Sequence, residues 1–284
     1  MIFWIASYPK SGNTWLRTII SSYYYSDDGI YLEDNIKKIG QFPEKRHFLS
    51  FNYNKNIVID TSRFWIKAQE KINSDNEFRF FKTHNVFGKI NENPFTNKEN
   101  SLGCIYIIRD PRNVITSLSN HYELNYEDSL SWMTNHKKYI FDNRGGKDFG
   151  NFQFISSWAN NYKSWKMQKD LPVKIVRYED LLEKTFSVTK EIIEFINQIA
   201  KFKQKINIDK LKNSVKSTQF EVLKKHEMQD GFSEAIFSKK KNKLIPFFNL
   251  GPKNNWQNIL EKNFADKLTE IFKEDLNEFD YTVK

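Results

Sequence analysis

The sequence predicts an α/β fold in which a parallel sheet is covered by helices on both faces. Short apolar runs alternate along the chain with stretches whose apolar residues recur at helical spacing, a pattern typical of strands joined by helical crossovers. The 284 residues include 16% aromatic and 28% charged side chains, which suffices for a large core and a solvated surface. No repeat or linker-like segment divides the sequence, so we expect one domain over residues 1–284.

Four apolar runs are predicted as strands of the sheet. They cover Ile2–Ala6 and residues 78–82, 102–108 and 173–176. The third run is continuously apolar, which suits a strand buried on both faces of a parallel sheet. Helices are predicted at residues 15–25, 112–122, 127–141, 152–168, 186–199 and 256–272, with loops and short helices over 27–76 and 201–245.

Residues with useful chemistry directly follow three of these strands. The loop at residues 10–14 follows the first strand, Lys82 and His84 stand at the end of the second, and Arg109 follows the third, with Ser117 two helical turns later. The carboxyl ends of parallel strands meet at one edge of the sheet, where ligands of such folds bind. We therefore expect these residues to form one site.

The first loop carries the groups that a phosphate-binding loop needs. Gly12 lets the backbone approach an anion, and the helix that begins at Asn13 and Thr14 offers free N–H groups. Lys10 supplies a charge, and Ser11 and Thr14 supply hydroxyl donors. The spacing is not that of a Walker A loop. On these residues alone, an ordinary strand–helix turn remains an alternative.

Arg109 and His84 each have a functional and a structural interpretation. Arginine is a natural bidentate partner for phosphate, but Arg109 could equally pair with a nearby aspartate or cap a helix. His84 could be a general base or a histidine whose hydrogen bonds are merely structural. The sequence position alone decides neither case.

The composition limits the partners and the compartment. A net charge of +9 favours an anionic partner such as a nucleotide, a nucleic acid, an acidic glycan or a membrane surface, without choosing among them. Cys104 is the one cysteine and lies in a predicted strand, so no intrachain disulfide is possible. The sequence shows neither a signal-peptide pattern nor an apolar run long enough to span a membrane, and we expect a cytoplasmic protein.

Several motifs, in order along the chain, resemble those of the sulfotransferases that use 3′-phosphoadenylyl sulfate (PAPS). Residues 7–15 (SYPKSGNTW) are similar to the family's phosphosulfate loop, in a form close to bacterial members, and residues 107–117 (IIRDPRNVITS) to its 3′-phosphate motif. Further similarities lie at residues 81–84 (FKTH), 176–181 (VRYEDL) and 217–220 (STQF), at Ser157-Trp158 with Trp165, and at Gly251 with Trp256. The similarity runs from residue 3 to about residue 260.

The resemblance implies a central parallel sheet of about five strands, akin to that of nucleotide kinases, and in-line transfer of a sulfuryl group from PAPS to a hydroxyl or amine. It implies that His84 is the general base and that Lys10 and Lys82 stabilise the transferring group. Adenosine 3′,5′-bisphosphate is the implied product, and no metal is needed. The implied nucleotide-binding residues are Lys10, Ser11, Gly12, Asn13, Thr14, Trp15, Arg109, Ser117, Tyr178, Thr218 and Gly251.

One segment departs from the family pattern. The family's C-terminal loop carries an Arg-Lys-Gly run that holds the 3′-phosphate, and here the equivalent is Asn249-Leu250-Gly251. Lys253, or the run Lys239-Lys240-Lys241 with Lys243, is the candidate replacement for the missing charge. We expect that run to lie near the nucleotide or the acceptor, although a run of lysines is also typical of a solvated loop.

Two other function classes compete with sulfuryl transfer. A phosphoryl-transfer enzyme of the P-loop type would need a Walker A loop and a magnesium-binding aspartate, and the sequence offers no clear candidate for either. A nucleic-acid binder would need basic residues clustered with stacking aromatics, whereas the lysines are scattered. The partner that the resemblance implies is a small-molecule, glycan or peptide acceptor, and we expect no nucleic-acid partner. The acceptor's identity and the oligomeric state are not encoded in any motif.

Overall fold

A computed structural model describes residues 1–141, 148–238 and 242–281. The strands are β1 (Ile2–Ala6), β2 (Gly40–Gln41), β3 (Arg79–Thr83), β4 (Lys89–Ile90), β5 (Asn93–Pro94), β6 (Ser101–Ile108), β7 (Tyr139–Ile140), β8 (Gln153–Phe154), β9 (Val173–Arg177), β10 (Ile236–Ser238) and β11 (Lys243–Ile245). Five of them form the central sheet in the order β2-β3-β1-β6-β9, and every neighbouring pair in it is parallel. The predicted fold class is confirmed.

Helices connect and cover the strands. They are α1 (Asn13–Tyr25), α2 (Glu33–Lys37), α3 (Trp65–Ile72), α4 (Pro111–Tyr122), α5 (Tyr126–Thr134), α6 (Trp158–Met167), α7 (Tyr178–Glu183), α8 (Thr185–Ala200), α9 (Ile208–Ser217), α10 (Phe220–Asp230), α11 (Trp256–Ile259), α12 (Lys262–Ile271) and α13 (Lys273–Glu278). Short 3₁₀ helices lie at Lys45–Phe48, Asp60–Phe64, Phe149–Asn151 and Gly251–Lys253. None of the helices in the described ranges is both long and apolar enough to cross a membrane.

The central strand β1 separates two apolar layers. Its five residues are 0% exposed, and their side chains alternate between the two faces of the sheet. Ile2, Trp4 and Ala6 join the larger cluster, while Phe3 and Ile5 join the cluster that includes α1 and α8. Both faces are thus covered by apolar packing, and this fixes the carboxyl ends of the strands at one rigid edge.

The four strands predicted from apolar runs are confirmed, but β2 was not anticipated. This edge strand has only two residues, Gly40 and Gln41, and two residues show no periodicity. The predicted helix over 127–141 ends at Thr134, and the one over 152–168 begins at Trp158. Between them, β7 and β8 form an antiparallel pair in place of the predicted helical ends.

The predicted helix over 256–272 is interrupted. The chain is extended at Leu260 and Glu261, so α11 and α12 are separate helices. The C-terminal residues return to the start of α4 near the sheet edge, where Arg112 donates to the carbonyl of Tyr281 (2.6 Å) and to Asp110 (2.8 Å). This buried contact joins the end of the described chain to the loop that follows β6.

Candidate active site

The loop after β1 has a backbone conformation that requires glycine at position 12. Gly12 has a φ of 98°, in the left-handed region that favours glycine, and a Cβ there would lie 2.5 Å from the Tyr178 ring. Asn13 is the first residue of α1 rather than its cap, and its Nδ2 donates to the carbonyl of Ile5 at 3.0 Å. Ser11 Oγ is buried and has no hydrogen-bond partner among the described residues. The loop therefore keeps a spare donor beside the first N–H groups of α1.

Lys10 lies in this loop with its ammonium Nζ 4.1 Å from the ring centre of Phe247. Burial lowers the pKa of Lys10 to about 7, a shift that Glu234 partly offsets and that Arg109 and Lys82 reinforce. A lysine with this pKa binds an anion most strongly in its protonated form. The protonation of Lys10 therefore responds to any anion that binds beside it.

Arg109 follows β6 and lies against the same loop. Its guanidinium Cζ is 4.3 Å from the ring centre of Tyr178, and its Nη1 donates to the carbonyl of Lys10 at 3.2 Å. Its Nε is buried without a partner among the described residues. Ser117, on α4, lines the same cleft. Arg109 therefore has a fixed position and an unused donor, as a phosphate ligand requires.

Trp15 and Tyr178 place two aromatic rings beside the arginine. Their ring centres are 5.6 Å apart in an edge-to-face arrangement. Trp15 Nε1 donates to the backbone carbonyl of Thr218 at 2.9 Å. The Thr218 hydroxyl donates to the carbonyl of Ser214 at 2.6 Å, and Thr218 does not line the cleft. Thr218 therefore orients Trp15 through its backbone instead of offering its hydroxyl to a ligand.

His84 stands at the end of β3 with a defined tautomer. Its Nδ1 lies 2.8 Å from the carbonyl of Ser7, which can only accept, so Nδ1 carries the proton and Nε2 keeps its lone pair. The backbone of His84 is fixed by Gln153 Oε1 (2.9 Å) and Asn161 Nδ2 (2.9 Å). Burial, followed by the charge of Lys82, lowers the pKa of His84 to about 4. The imidazole is consequently neutral at pH 7 and can accept a proton.

Glu234 is a carboxylate placed among the cations of this site. It accepts hydrogen bonds of 2.7 Å from the Thr14 hydroxyl, from Arg17 and from Lys82. Burial alone would raise the pKa of Glu234, but Lys82 and Arg17 outweigh it and hold the pKa well below its usual range. Lys82, for its part, has a pKa lowered by burial. The three donors are therefore arranged so that together they bind an oxyanion.

Most of these groups line one cleft of ≈ 1650 Å³. The predicted site residues that line it are Lys10, Gly12, Asn13, Thr14, Trp15, Lys82, His84, Arg109, Ser117, Tyr178 and Gly251. The two that do not are Ser11, which is buried in the loop, and Thr218. The expected convergence of the strand ends on one edge is present in the structure.

The C-terminal loop that lacks the Arg-Lys pair closes another side of the cleft. Gly251 has a φ of 52°, and a Cβ there would lie 2.2 Å from the Phe220 ring. Lys224 Nζ donates to the carbonyl of Asn249 at 3.3 Å, so a cation does reach this loop. Lys243 and Lys253 are exposed, and Lys239, Lys240 and Lys241 lie outside the described residues.

Among the cleft residues that the sequence analysis did not single out are Arg17, His121 and Glu234. Arg17 lies one helical turn after Thr14, and that spacing was a usable signal. His121 likewise lies one turn after Ser117 on α4. Glu234 lies 152 positions from its partner Lys82 in a segment without periodicity, so no local pattern indicated it.

Comparisons with known proteins extend over almost the whole chain. Residues 2–280 match the family described as the Sulfotransferase domain. Luciferin sulfotransferase of Photinus pyralis is 24% identical over 96% of this chain and 71% of its own length, and cytosolic sulfotransferase 13 of Arabidopsis thaliana is 24% identical over 96% and 76%.

Solved structures show the same fold. A mouse sulfotransferase complexed with PAP superposes with a TM-score of 0.57 at 20% identity, covering 99% of this chain and 84% of that one. A retinol dehydratase in complex with androsterone and inactive cofactor PAP gives 0.55 at 16%, covering 97% and 80%. The family match, the motifs and the cleft agree: the chain belongs to the sulfotransferase family and is an enzyme of sulfuryl transfer.

Proposed function

We propose that this sulfotransferase takes its sulfuryl group from PAPS and transfers it to a hydroxyl or amine of a small-molecule, glycan or peptide acceptor in the cytoplasm. The observation that carries the proposal is the set of oxyanion donors at the sheet edge. Thr14, Arg17 and Lys82 already bind one carboxylate there, and Ser11 Oγ and Arg109 Nε are buried without partners among the described residues. Such a set fits a ligand with two separated anionic groups.

The loop after β1 binds the phosphosulfate in this proposal. The first N–H groups of α1, Lys10, Ser11 and Thr14 surround it, and the positive end of the helix dipole favours its charge. Arg109 and Ser117 bind the 3′-phosphate, which distinguishes PAPS from ATP. Trp15 and Tyr178 flank the adenine, and Gly251 allows the C-terminal loop to approach the nucleotide.

Transfer then needs a base on the acceptor and positive charge on the leaving group. His84 Nε2 takes the acceptor's proton while the acceptor oxygen bonds to sulfur and the bond from sulfur to the bridging phosphate oxygen breaks. Lys10 stabilises the charge that develops on that bridging oxygen, and Lys82 stabilises the sulfuryl oxygens. By analogy with phosphoryl transfer, these fixed charges supply most of the catalysis. A bound anion nearby also raises the pKa of His84 from its low value and makes the ring a stronger base.

Nucleotide binding tests the assignment of the 3′-phosphate site. We expect calorimetry to show that adenosine 3′,5′-bisphosphate binds at least about 100-fold more tightly than AMP, because a buried charge-assisted contact is worth about 1.5–3 kcal/mol and several form together. Arg109→Met should remove most of this preference. Arg63→Met is the matched control, since Arg63 is exposed and pairs with Asp60 on the surface. Equal affinity of the wild-type protein for both nucleotides would refute the assignment of Arg109 and Ser117.

A further inference from the structure

A second cationic group lies beside the reaction centre, on the β7–β8 side of the cleft. The backbone carbonyl of Lys138 accepts from Ile155 N at 3.0 Å, directly after β8, and Gln153 of β8 fixes the backbone of His84. Lys137 and Lys138 both line the cleft. We assign this side of the cleft to the acceptor, because it carries the contact to His84 and because none of the proposed nucleotide contacts involves the two lysines.

Lys138 is held in place against an aromatic ring. Its Nζ lies 3.7 Å from the ring centre of Trp132, and the side chain is partly buried. Burial lowers the pKa of Lys138 to about 8. Within the described ranges, no carboxylate forms an ion pair with Lys137 or Lys138. A cation that is partly desolvated and lacks a counter-ion is well suited to bind an anionic ligand.

The other cations on this side have partners of their own. Lys45 pairs with Asp148 and Arg46 with Glu44, at 2.7 and 2.8 Å. Their charges are largely neutralised within the protein. The uncompensated positive charge of the described acceptor side is therefore concentrated at Lys137 and Lys138.

An aromatic wall connects Lys138 with the reaction centre. The distances between ring centres are 4.5 Å from Trp132 to Tyr122 and 4.8 Å from Tyr122 to His121. The ring centre of His121 lies 6.0 Å from that of Phe247, and the Lys10 ammonium packs over the Phe247 ring. His121 lies close enough to Lys10, Glu234 and His84 for their charges to influence its pKa. The wall therefore borders the groups that we propose take part in the transfer. Neighbouring rings meet at 62–88°, so the wall presents ring faces and ring edges in turn. The ring of a sugar or of a phenol can pack face-on or edge-on against them.

We propose that the acceptor is an anionic ring compound, in which the hydroxyl lies at His84 and a carboxylate, sulfate or phosphate on the ring binds Lys138. This inference rests on the proposed function, since it assigns the acceptor of that same site. The aromatic wall packs against the ring of the acceptor. Its length, from Phe247 to Trp132, sets the distance between the acceptor's hydroxyl and its charged group. Lys138 is then the residue that determines specificity, and a neutral acceptor leaves it unpaired.

Matched neutral and anionic probes test the inference on the protein saturated with adenosine 3′,5′-bisphosphate. The sugar pair is the methyl glycoside of glucuronic acid, whose carboxylate is free, and its uronamide. The phenol pair is 4-hydroxyphenylacetate and its amide, and each probe is titrated by calorimetry at low salt. In at least one pair we expect the carboxylate to bind about tenfold more tightly than the amide, the effect of one charge-assisted contact. Lys138→Gln should abolish the preference, Lys138→Arg should keep it, and Lys98→Gln, a change at an exposed lysine outside the cleft, should leave it unaltered.

The pair that shows the preference identifies the kind of ring. Equal binding of carboxylate and amide in both pairs, no binding of either carboxylate, or a preference that survives in Lys138→Gln would overturn the inference. A protein that does not bind the bisphosphate would contradict the proposed function instead, and the same pairs titrated into the nucleotide-free protein would still decide the role of Lys138.

Discussion

At the scale of single residues, Lys10 shows how burial adapts an ordinary side chain to this chemistry. Removing an ammonium from water disfavours its charged form, and this lowers the pKa of Lys10 to about 7 even with Glu234 nearby. The residue therefore changes its charge near neutral pH in the nucleotide-free protein. An incoming phosphate favours the protonated form, so binding of the nucleotide is coupled to proton uptake.

This coupling predicts a pH-dependent affinity for adenosine 3′,5′-bisphosphate. Binding raises the pKa of Lys10 above its free value of about 7, so affinity is highest below that value and falls as pH rises between the free and the bound pKa. Calorimetry from pH 6.5 to pH 9 should show a decrease that approaches about tenfold per pH unit, in a range where the phosphates (pKa about 6) are already ionised. In Lys10→Met the curve should be flat and the affinity low. A flat wild-type curve would mean that Lys10 does not touch the phosphates.

The placement of the candidate site residues was predictable where they follow strand ends. Lys10, Lys82, His84 and Arg109 each follow an apolar run, and parallel strands bring their carboxyl ends together. Glu234 was not predictable, because its position depends on a segment that returns from far along the chain. The tautomer of His84 also needed the structure, since it depends on the carbonyl of Ser7.

At the scale of elements, the segment from Gly231 to β10 brings an acidic side chain among the donors that we propose bind the phosphosulfate. The segment begins at Gly231, which follows α10 and donates its backbone N–H to the carbonyl of Glu227 at 3.0 Å. Three residues later, the Glu234 carboxylate accepts from Thr14, Arg17 and Lys82. In the proposed function, the phosphosulfate group needs two of these donors, Thr14 and Lys82, so the nucleotide must displace this carboxylate.

Removing the charge of Glu234 should therefore strengthen nucleotide binding. We expect Glu234→Gln to bind adenosine 3′,5′-bisphosphate about tenfold more tightly, because the carboxylate no longer competes for charge-assisted hydrogen bonds. Glu221→Gln is the matched control, since Glu221 also lines the cleft but is exposed. Weaker binding by Glu234→Gln would show instead that the carboxylate positions Arg17 and Lys82 for the ligand.

The elements themselves were predictable in proportion to their length and periodicity. The strand at 102–108 and the helix at 186–199 have long apolar patterns, and β6 and α8 match them closely. The strand β2 and the β7–β8 pair have two residues per strand, and tertiary packing determines such short pairings. The side of the cleft that we assign to the acceptor is built from these short pieces, so the positions of its side chains could not be predicted from the sequence.

At the scale of the whole molecule, the C-terminal residues contact the loops that carry Arg109 and Tyr178. We call the contacts of Tyr281 with Arg112 and Glu179 the C-terminal brace. Arg112 is 2% exposed, and its guanidinium donates hydrogen bonds to the Asp110 carboxylate and to the carbonyl of Tyr281. Its Cζ lies 4.2 Å from the ring centre of Trp256. Glu179, next to Tyr178, accepts from the backbone N of Asp110 and from the Tyr281 hydroxyl. The loops after β6 and β9 are thus attached to the end of the described chain. These contacts fix the positions of Arg109 and Tyr178 relative to each other.

Loss of this brace should destabilise the fold. Arg112→Ala leaves the Asp110 carboxylate buried without its charge partner, and such a change typically costs about 3–5 kcal/mol in the free energy of unfolding. Urea titration followed by tryptophan fluorescence measures it. Arg63→Ala, which breaks an exposed ion pair with Asp60, should cost less than about 1 kcal/mol. Comparable losses in the two variants would mean that the C-terminal brace contributes little.

Turnover of radiolabelled PAPS by the wild-type protein and by His84→Ala tests whether this protein transfers sulfuryl groups from PAPS with His84 as the base. Binding of adenosine 3′,5′-bisphosphate is measured on both proteins. We expect the wild type to move the label onto a hydroxyl acceptor. We expect His84→Ala to bind the bisphosphate with nearly unchanged affinity but to transfer the label about 10²–10⁴-fold more slowly, the usual contribution of a general base. Transfer by His84→Ala at the wild-type rate would show that His84 is not the base, and a wild-type protein that binds no bisphosphate and transfers no label would refute the use of PAPS.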